Sequence, residues 1–408
     1  MPWKETCVME ERMRFVLEML EGFESKAALC RIYGISRPTG DKWLARYAAD
    51  GVEGLRDASR APERHPNTVT EEAEAAVLAL RAAHMHWGPK KLLALLERKA
   101  PGRLWPSAST IGEILKRHGL TAPQKRRRRA PPQTAPFAAC DGPNALWCAD
   151  FKGYFETGDG LRCYPLTVTD ACSRYVLRCQ AADQRHDTVR PLFEATFREY
   201  GLPAAIRTDN GGPFASRGLC GLSRLSVWWM RLGIVPERID PGEPQQNGRH
   251  ERMHRTLKQE TTHPPGSNRR AQQRLFDRFR REFNEERPHE ALGQATPASV
   301  YTPSGRPYPA RLQPLEYPGG LTVRAVQKSG EFYWKNKPVF LGEAFGHEQI
   351  GLERLDERYW TVHFATVALG VLDAQRGRVL TWKQAAKAGL GVASPAPFAP
   401  RPGAPSPT

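Results

Sequence analysis

The chain has 408 residues, with 60 Lys and Arg against 44 Asp and Glu, a formal net charge of +16. That length suits about two to four domains, and a balance this basic favours a polyanionic partner such as nucleic acid. No run approaches the roughly 18 apolar residues of a membrane span, and the opening MPWKETCVMEERMRF lacks the apolar stretch of a secretory signal. The eight cysteines form no Cys-x-x-Cys pair, which speaks against a zinc finger and for reduced, structural thiols.

Residues 1–65 read as short helices. Met13, Val16, Leu17 and Leu20 repeat at helical spacing over Glu10 to Glu21. Ser25 can cap a second helix to Tyr33, Gly34-Ile35 makes a tight turn, and Ser36 caps a third with Pro38 in its first turn. Trp43, Leu44 and Tyr47 form the apolar face of that third helix. Helix, short turn, capped helix is the helix-turn-helix pattern, and Arg37, Thr39, Lys42 and Arg46 on the other face suit phosphates and base edges.

Residues 66–124 read as a second helical unit, winged or helix-turn-helix-like. An acid-rich first turn follows Thr70, Gly88-Pro89 opens a leucine-rich helix, and Ser107 to His118 ends at Gly119. Residues 1–136 carry 24 Lys and Arg against 16 Asp and Glu, so half the excess charge sits there. Lys125, Arg126, Arg127, Arg128 and Arg129 begin a basic, Pro-rich linker, 125–136, suited to lying along phosphates.

Between 137 and 300 strand-like and helix-like segments alternate: strands over Trp147 to Phe155, Cys163 to Asp170 and Tyr175 to Gln180, then helix, strand, helix, strand and two polar helices. That order predicts an α/β domain with a mixed sheet. Residues 305–380 hold short β-rich runs that suggest a small barrel, and 381–408 read as a Pro/Ala-rich disordered tail.

The chemistry lies in Leu146 to Lys152 (LWCADFK), Arg207 to Gly211 (RTDNG), and Pro244 to Lys258 (PQQNGRHERMHRTLK). Asp150 is a carboxylate in a strand otherwise built for burial. Asp209 ends a strand, the edge where α/β sheets bind ligands. Taken singly, Asp-Asn-Gly is more often a turn, and Glu251 can pair with Arg255 one helical turn on. Together, and in this order, the three pieces resemble the DDE transposase and retroviral-type integrase core, over roughly residues 137–300. With the helical front end, the chain resembles insertion-sequence transposases of the IS481 group, related to IS3.

The resemblance implies a ribonuclease-H-like core, with Asp150, Asp209 and Glu251 as catalytic, metal-holding carboxylates. It also implies that Lys258 contacts DNA near the site, with Asn247 and Arg255 as further DNA contacts; Lys258 lies seven residues after Glu251, about two helical turns, and Asn247 shares that face. The 41 residues between Asp209 and Glu251 exceed the family's common spacing, and the excess is placed in Ser216 to Leu225. Phosphodiester cleavage builds negative charge on phosphorus, and two Mg²⁺ or Mn²⁺ ions held by oxygen ligands can offset it. The expected function is cleavage at terminal inverted repeats and strand transfer into target DNA, by a homodimer or larger assembly with no membrane partner, in the bacterial cytoplasm at the nucleoid. The alternative is a hydrolysis-only or catalytically inactive relative.

Overall fold

A computed structural model describes residues 7–59, 68–121, 140–151, 153–216, 218–239 and 248–391. Asn247, the Lys125 to Arg129 block with its linker, and the tail beyond residue 391 lie outside the described residues. The chain divides into two compact units, Met1–Val69 and Thr70–Thr408.

The first unit packs α1 (Val8–Glu21), α2 (Lys26–Ile32) and α3 (Arg37–Asp50) around Phe15, Val16, Leu29, Cys30, Trp43 and Leu55. The serine caps form where the sequence puts them: Ser25 and Ser36 accept from the backbone N–H of Ala28 and Thr39, satisfying donors that a helix start leaves open. Gly34 supplies the turn at φ 65°. Gly40 lets α3 pack flush, since a Cβ there would lie 2.9 Å from Cys30 Sγ and from the Phe15 ring.

The second unit begins with α4 (Glu71–Ala83), α5 (Pro89–Lys99) and α6 (Ala108–Arg117). Val77, Leu92, Leu95, Leu96, Ile111, Ile114 and Leu115 are buried between and beneath them. The mixed sheet follows. β1 (Leu146–Phe151), β2 (Phe155–Glu156), β3 (Arg162–Asp170), β4 (Val176–Ala182), β5 (Ala205–Thr208) and β6 (Val235–Arg238) join in the order β2-β3-β1-β5-β6, with β4 also on β3. β1 runs antiparallel to β3 and parallel to β5.

Alternation along β1 divides the sheet into two faces. Trp147 and Ala149 face α7 (His186–Tyr200) and α8 (Arg224–Arg231) through Phe193, Phe197, Leu225 and Trp229. The opposite face carries α9 (Gly248–Thr261) and α10 (Arg269–Arg281), through Met253, Leu257, Phe276 and Phe279. Asn144, at φ 65°, fastens the entry to β1. Its Oδ1 accepts from Trp147 Nε1 at 3.0 Å and from the Tyr301 hydroxyl at 2.9 Å, and its N–H donates to Asp170 at 2.7 Å.

After the short α11 (Pro297–Val300) come β7 (Thr322–Ala325), β8 (Glu331–Trp334), β9 (Lys337–Phe340), β10 (Gln349–Arg354), β11 (Tyr359–Phe364), β12 (Val367–Asp373), β13 (Arg378–Leu380) and α12 (Trp382–Lys387). The barrel expected over 305–380 is not closed. β13-β12-β11-β10-β7 form one open sheet and β8-β9 a separate hairpin, with no ladder between β13 and β7 among the described residues. Among the described residues the hairpin pairs only with itself, and β13 has three residues, too short to complete a ring. This module shares a core with α8: Val227 and Met230 pack with Phe332, Phe345 and Leu369. Arg231 meets Glu348 at 3.3 Å beside that core.

Candidate active site

The predicted acids stand on three elements: β1, the end of β5 and α9. Asp150 is the fifth residue of β1, opposite Thr167 of β3. Its side chain is 18% exposed. Asp209 follows β5 directly. Cys148 pairs with Arg207 across the parallel ladder, so the same register carried two residues further sets Asp209 level with Asp150. Asp150 leaves β1 on the α9 side, where His254 meets it. Asp209 Oδ1 accepts from the Gly211 N–H at 3.2 Å, and burial raises its carboxyl above the usual range. A half-buried carboxylate of this kind favours a nearby cation.

Glu251 stands in the first turn of α9, exposed, and the exposed Arg255 and Lys258 share its face. The helix turns a different stripe inward: His250 and His254 are 2% and 3% exposed. Thr167 Oγ1 lies 2.7 Å from His250 Nε2 and 2.6 Å from His254 Nε2, and Thr169 Oγ1 lies 3.0 Å from His250 Nδ1. The Thr167 hydroxyl has one hydrogen, so at least one imidazole donates to it. Burial holds His250 neutral, pushed down to about 3. His254 Nδ1 faces Asp150 Oδ2 at 3.8 Å.

Among the described residues, the group of three possible metal ligands within 4.8 Å of one another is Asp150, His250 and His254. Asp209 and Glu251 stand outside that group. The sequence carries a signal for the histidines that the acid triad obscures: His250 and His254 are one turn apart, in the spelling His-Glu-x-x-His. On a zinc protease helix that spelling aims both imidazoles at a metal and the Glu at its water. Here Thr167 and Thr169 engage the imidazoles, while Glu251 looks outward. The donors at Asp150 are carboxylate oxygen with imidazole beside it, and carboxylate oxygen suits a divalent ion such as Mg²⁺ or Mn²⁺.

The predicted DNA-reading residues fall into two groups. In the first unit Arg37 and Lys42 are exposed on α3. Thr39 shares its hydroxyl with Ser36 at 2.8 Å, and Arg46 donates to the Arg56 carbonyl at 2.9 Å. Lys42 and Arg46 also lie over the Trp43 ring, so their stems help to cover the core. In the second unit Arg255 and Lys258 project from α9.

Sequence reading also missed how the second helical module attaches to the core. His84 Nδ1 lies 2.8 Å from Glu282, Lys90 Nζ lies 2.6 Å from Glu290, and Lys91 donates to the Pro288 carbonyl. His289 sits in the same seam, its Nε2 buried and without a hydrogen-bond partner among the described residues. Burial, with Lys91, Arg287 and Arg174 around it, pushes its imidazole down to about 3. The unfolded chain therefore takes up this proton first, and stability falls as pH drops from about 6.5 towards 3. His289→Asn is expected to flatten that dependence, read as the thermal midpoint against pH. A variant as acid-sensitive as the parent excludes His289 as a source.

The integrase core domain matches residues 141–244 and, in a second model, 232–297. A helix-turn-helix domain matches 11–63 and a homeodomain-like domain 39–115. An uncharacterised 39.2 kDa protein of insertion element IS476 from Xanthomonas euvesicatoria is 30% identical over 273 residues, 62% of this chain and 72% of the relative. A 31.7 kDa protein of IS407 from Burkholderia multivorans is 26% identical, over 57% of this chain and 82% of its own length. Among solved structures, a chain of the simian T-cell lymphotropic virus intasome is 17% identical over 76% of this chain and 96% of its own, with a TM-score of 0.35. No helix among the described residues is long and apolar enough to cross a membrane. With an integrase core behind a helix-turn-helix region, and most of the Xanthomonas protein matched, the chain belongs to the insertion-sequence transposases of the IS3 type.

Proposed function

We propose that this transposase cleaves DNA at the terminal inverted repeats of its element and joins the freed 3′ ends to target DNA, using divalent metal held at Asp150, Asp209 and Glu251. The observation that supports the reading is the parallel ladder that pairs Cys148 with Arg207, each two residues before one of the two aspartates, with α9 on the Asp150 face of the sheet. In this reading Asp150 and Asp209 would hold the ion from the sheet, and Glu251 would complete the set from α9. Bound there, a pair of divalent ions would activate the attacking oxygen and stabilise the leaving one. The chain's own part is to fix the carboxylates: Thr167 and Thr169 hold the two imidazoles, and His254 stands against Asp150.

Residues 1–65 and 66–124 form the end-reading arm, with Asn247, Lys258 and the Lys125 to Arg129 block on phosphates and 137–300 as the catalytic core. Two element ends must be handled together, so the working form is a dimer or larger, at the nucleoid of the cytoplasm. The motif PQQNGRHERMHRTLK favours the IS481 group within the family. The test is a joining assay with a 3′-labelled inverted-repeat duplex. Joined product with Mg²⁺ or Mn²⁺, lost in EDTA and restored by added metal, is expected. Nicking without joining identifies a nuclease; specific binding with neither product identifies a regulator.

A further inference from the structure

A cavity of about 390 Å³ opens where α5, the β1–β3 edge, α9 and the segment after α10 meet. Lys91, Arg174, Arg252, Arg255, Arg287 and His289 line it. Its two acids are committed elsewhere. Asp170 accepts from the Asn144 and Ser173 N–H groups and the Ser173 hydroxyl, and Glu290 pairs with Lys90 at 2.6 Å. Arg287 pairs with Glu260 at 2.8 Å. Lys91, Arg252 and Arg255 make no ion pair among the described residues. Three cations around one cavity repel one another unless an anion joins them.

We infer that this cleft is a second phosphate site, which grips the backbone of the DNA strand being processed and shares it between the core and the second helical module. The inference rests on the reading of the core as DNA-processing. Size and position support it. The volume accommodates a phosphodiester with its sugar. Cys148, on the cleft wall, lies two residues before Asp150 on the same face of β1, about 7 Å along the strand. A strand with one phosphate at Asp150 brings its neighbours to the cleft. Arg252 and Arg255 reach it from the helix that carries Glu251, and Lys91 reaches it from α5. The local field points the same way: burial, with Arg287 alongside, pushes the Lys91 amine down to about 8, a state that a bound phosphate reverses.

The test is the salt dependence of duplex binding by the full chain. Each phosphate neutralised contributes about 0.9 to the slope of log affinity against log salt. Lys91→Gln with Arg252→Gln is expected to make that slope shallower by about 2, and Lys91→Arg with Arg252→Lys to restore it. Arg252 is exposed, so Arg252→Gln alone, expected to lower the slope by about 1, covers a double variant that fails to fold. An unchanged slope overturns the cleft, even in a chain that joins DNA normally. A lowered slope in a chain that joins nothing upholds the cleft and removes the joining reading. Thermal protection by inorganic phosphate that the double variant loses, with an unchanged duplex slope, assigns the cleft to free phosphate and overturns the DNA assignment.

Discussion

Asp150→Asn is expected to lower strand transfer by about a thousandfold or more while leaving inverted-repeat binding within about twofold. A metal ion in such a site is worth several kcal/mol of charge stabilisation, and about 4 kcal/mol is three orders of magnitude in rate. The amide keeps the volume of Asp150 and its place opposite Thr167, so the loss reports charge and not folding. Asp209→Asn and Glu251→Gln are expected to lose as much. These substitutions also separate two ligand sets. Glu251 lies outside the close group that Asp150 forms with His250 and His254. If Glu251→Gln joins DNA normally while His254→Asn abolishes joining, the third ligand is His254 and the Glu assignment falls. If Glu251→Gln abolishes joining and His254→Asn slows it only a few fold, His254 is a positioning residue for Asp150. Single-turnover joining of a labelled end, with binding measured on the same duplex, reads both outcomes.

What the sequence made legible follows from short-range physics. Ser25 and Ser36 name helix starts because a hydroxyl before an apolar helical stripe has open N–H groups to accept from. The buried run LWCADF names a central strand, and Asp150 stands out there because nothing in such a run explains a carboxylate. The C-terminal module was less legible. β10 and β12 are hard to read as strands because they carry Gly351 and Gly370 mid-strand, which weakens the strand signal. Both glycines answer to distant neighbours: a Cβ would fall 2.6 Å from the Tyr317 ring at Gly351 and 2.5 Å from the Leu380 carbonyl at Gly370. At the site, the acids and the His-Glu-x-x-His spelling are both legible as motifs, but the contacts of the two histidines are not. Their role depends on Thr167 and Thr169, more than 80 residues away in sequence. The cationic cleft was invisible for the same reason: Lys91 and Arg252 look like solvated charges until α5 docks against the core.

Asp170→Ala is expected to be the most destabilising single polar substitution in the core sheet, by about 3–5 kcal/mol. The Asp170 side chain is fully buried, and its carboxylate accepts three hydrogen bonds: from the Asn144 N–H at 2.7 Å, the Ser173 N–H at 2.7 Å and the Ser173 hydroxyl at 2.6 Å. Alanine leaves buried donors without partners, at about 1–3 kcal/mol each, more where the acceptor was charged. Asn144 in turn fixes Trp147 and Tyr301, so the damage reaches the strand that carries Asp150. Asp170→Asn is expected to cost less than alanine but still more than 1 kcal/mol, because its amide nitrogen must face one of the donors. Ser173→Ala removes one bond and is expected to cost about 1 kcal/mol. Urea denaturation followed by tryptophan fluorescence ranks the three, since Trp147 reports from the same network. An Asp170→Ala chain that unfolds within 1 kcal/mol of the parent would show that Asn144 holds β1 without the carboxylate. In that case the acid at the β3–β4 turn belongs to the neighbouring cationic cleft rather than to the fold.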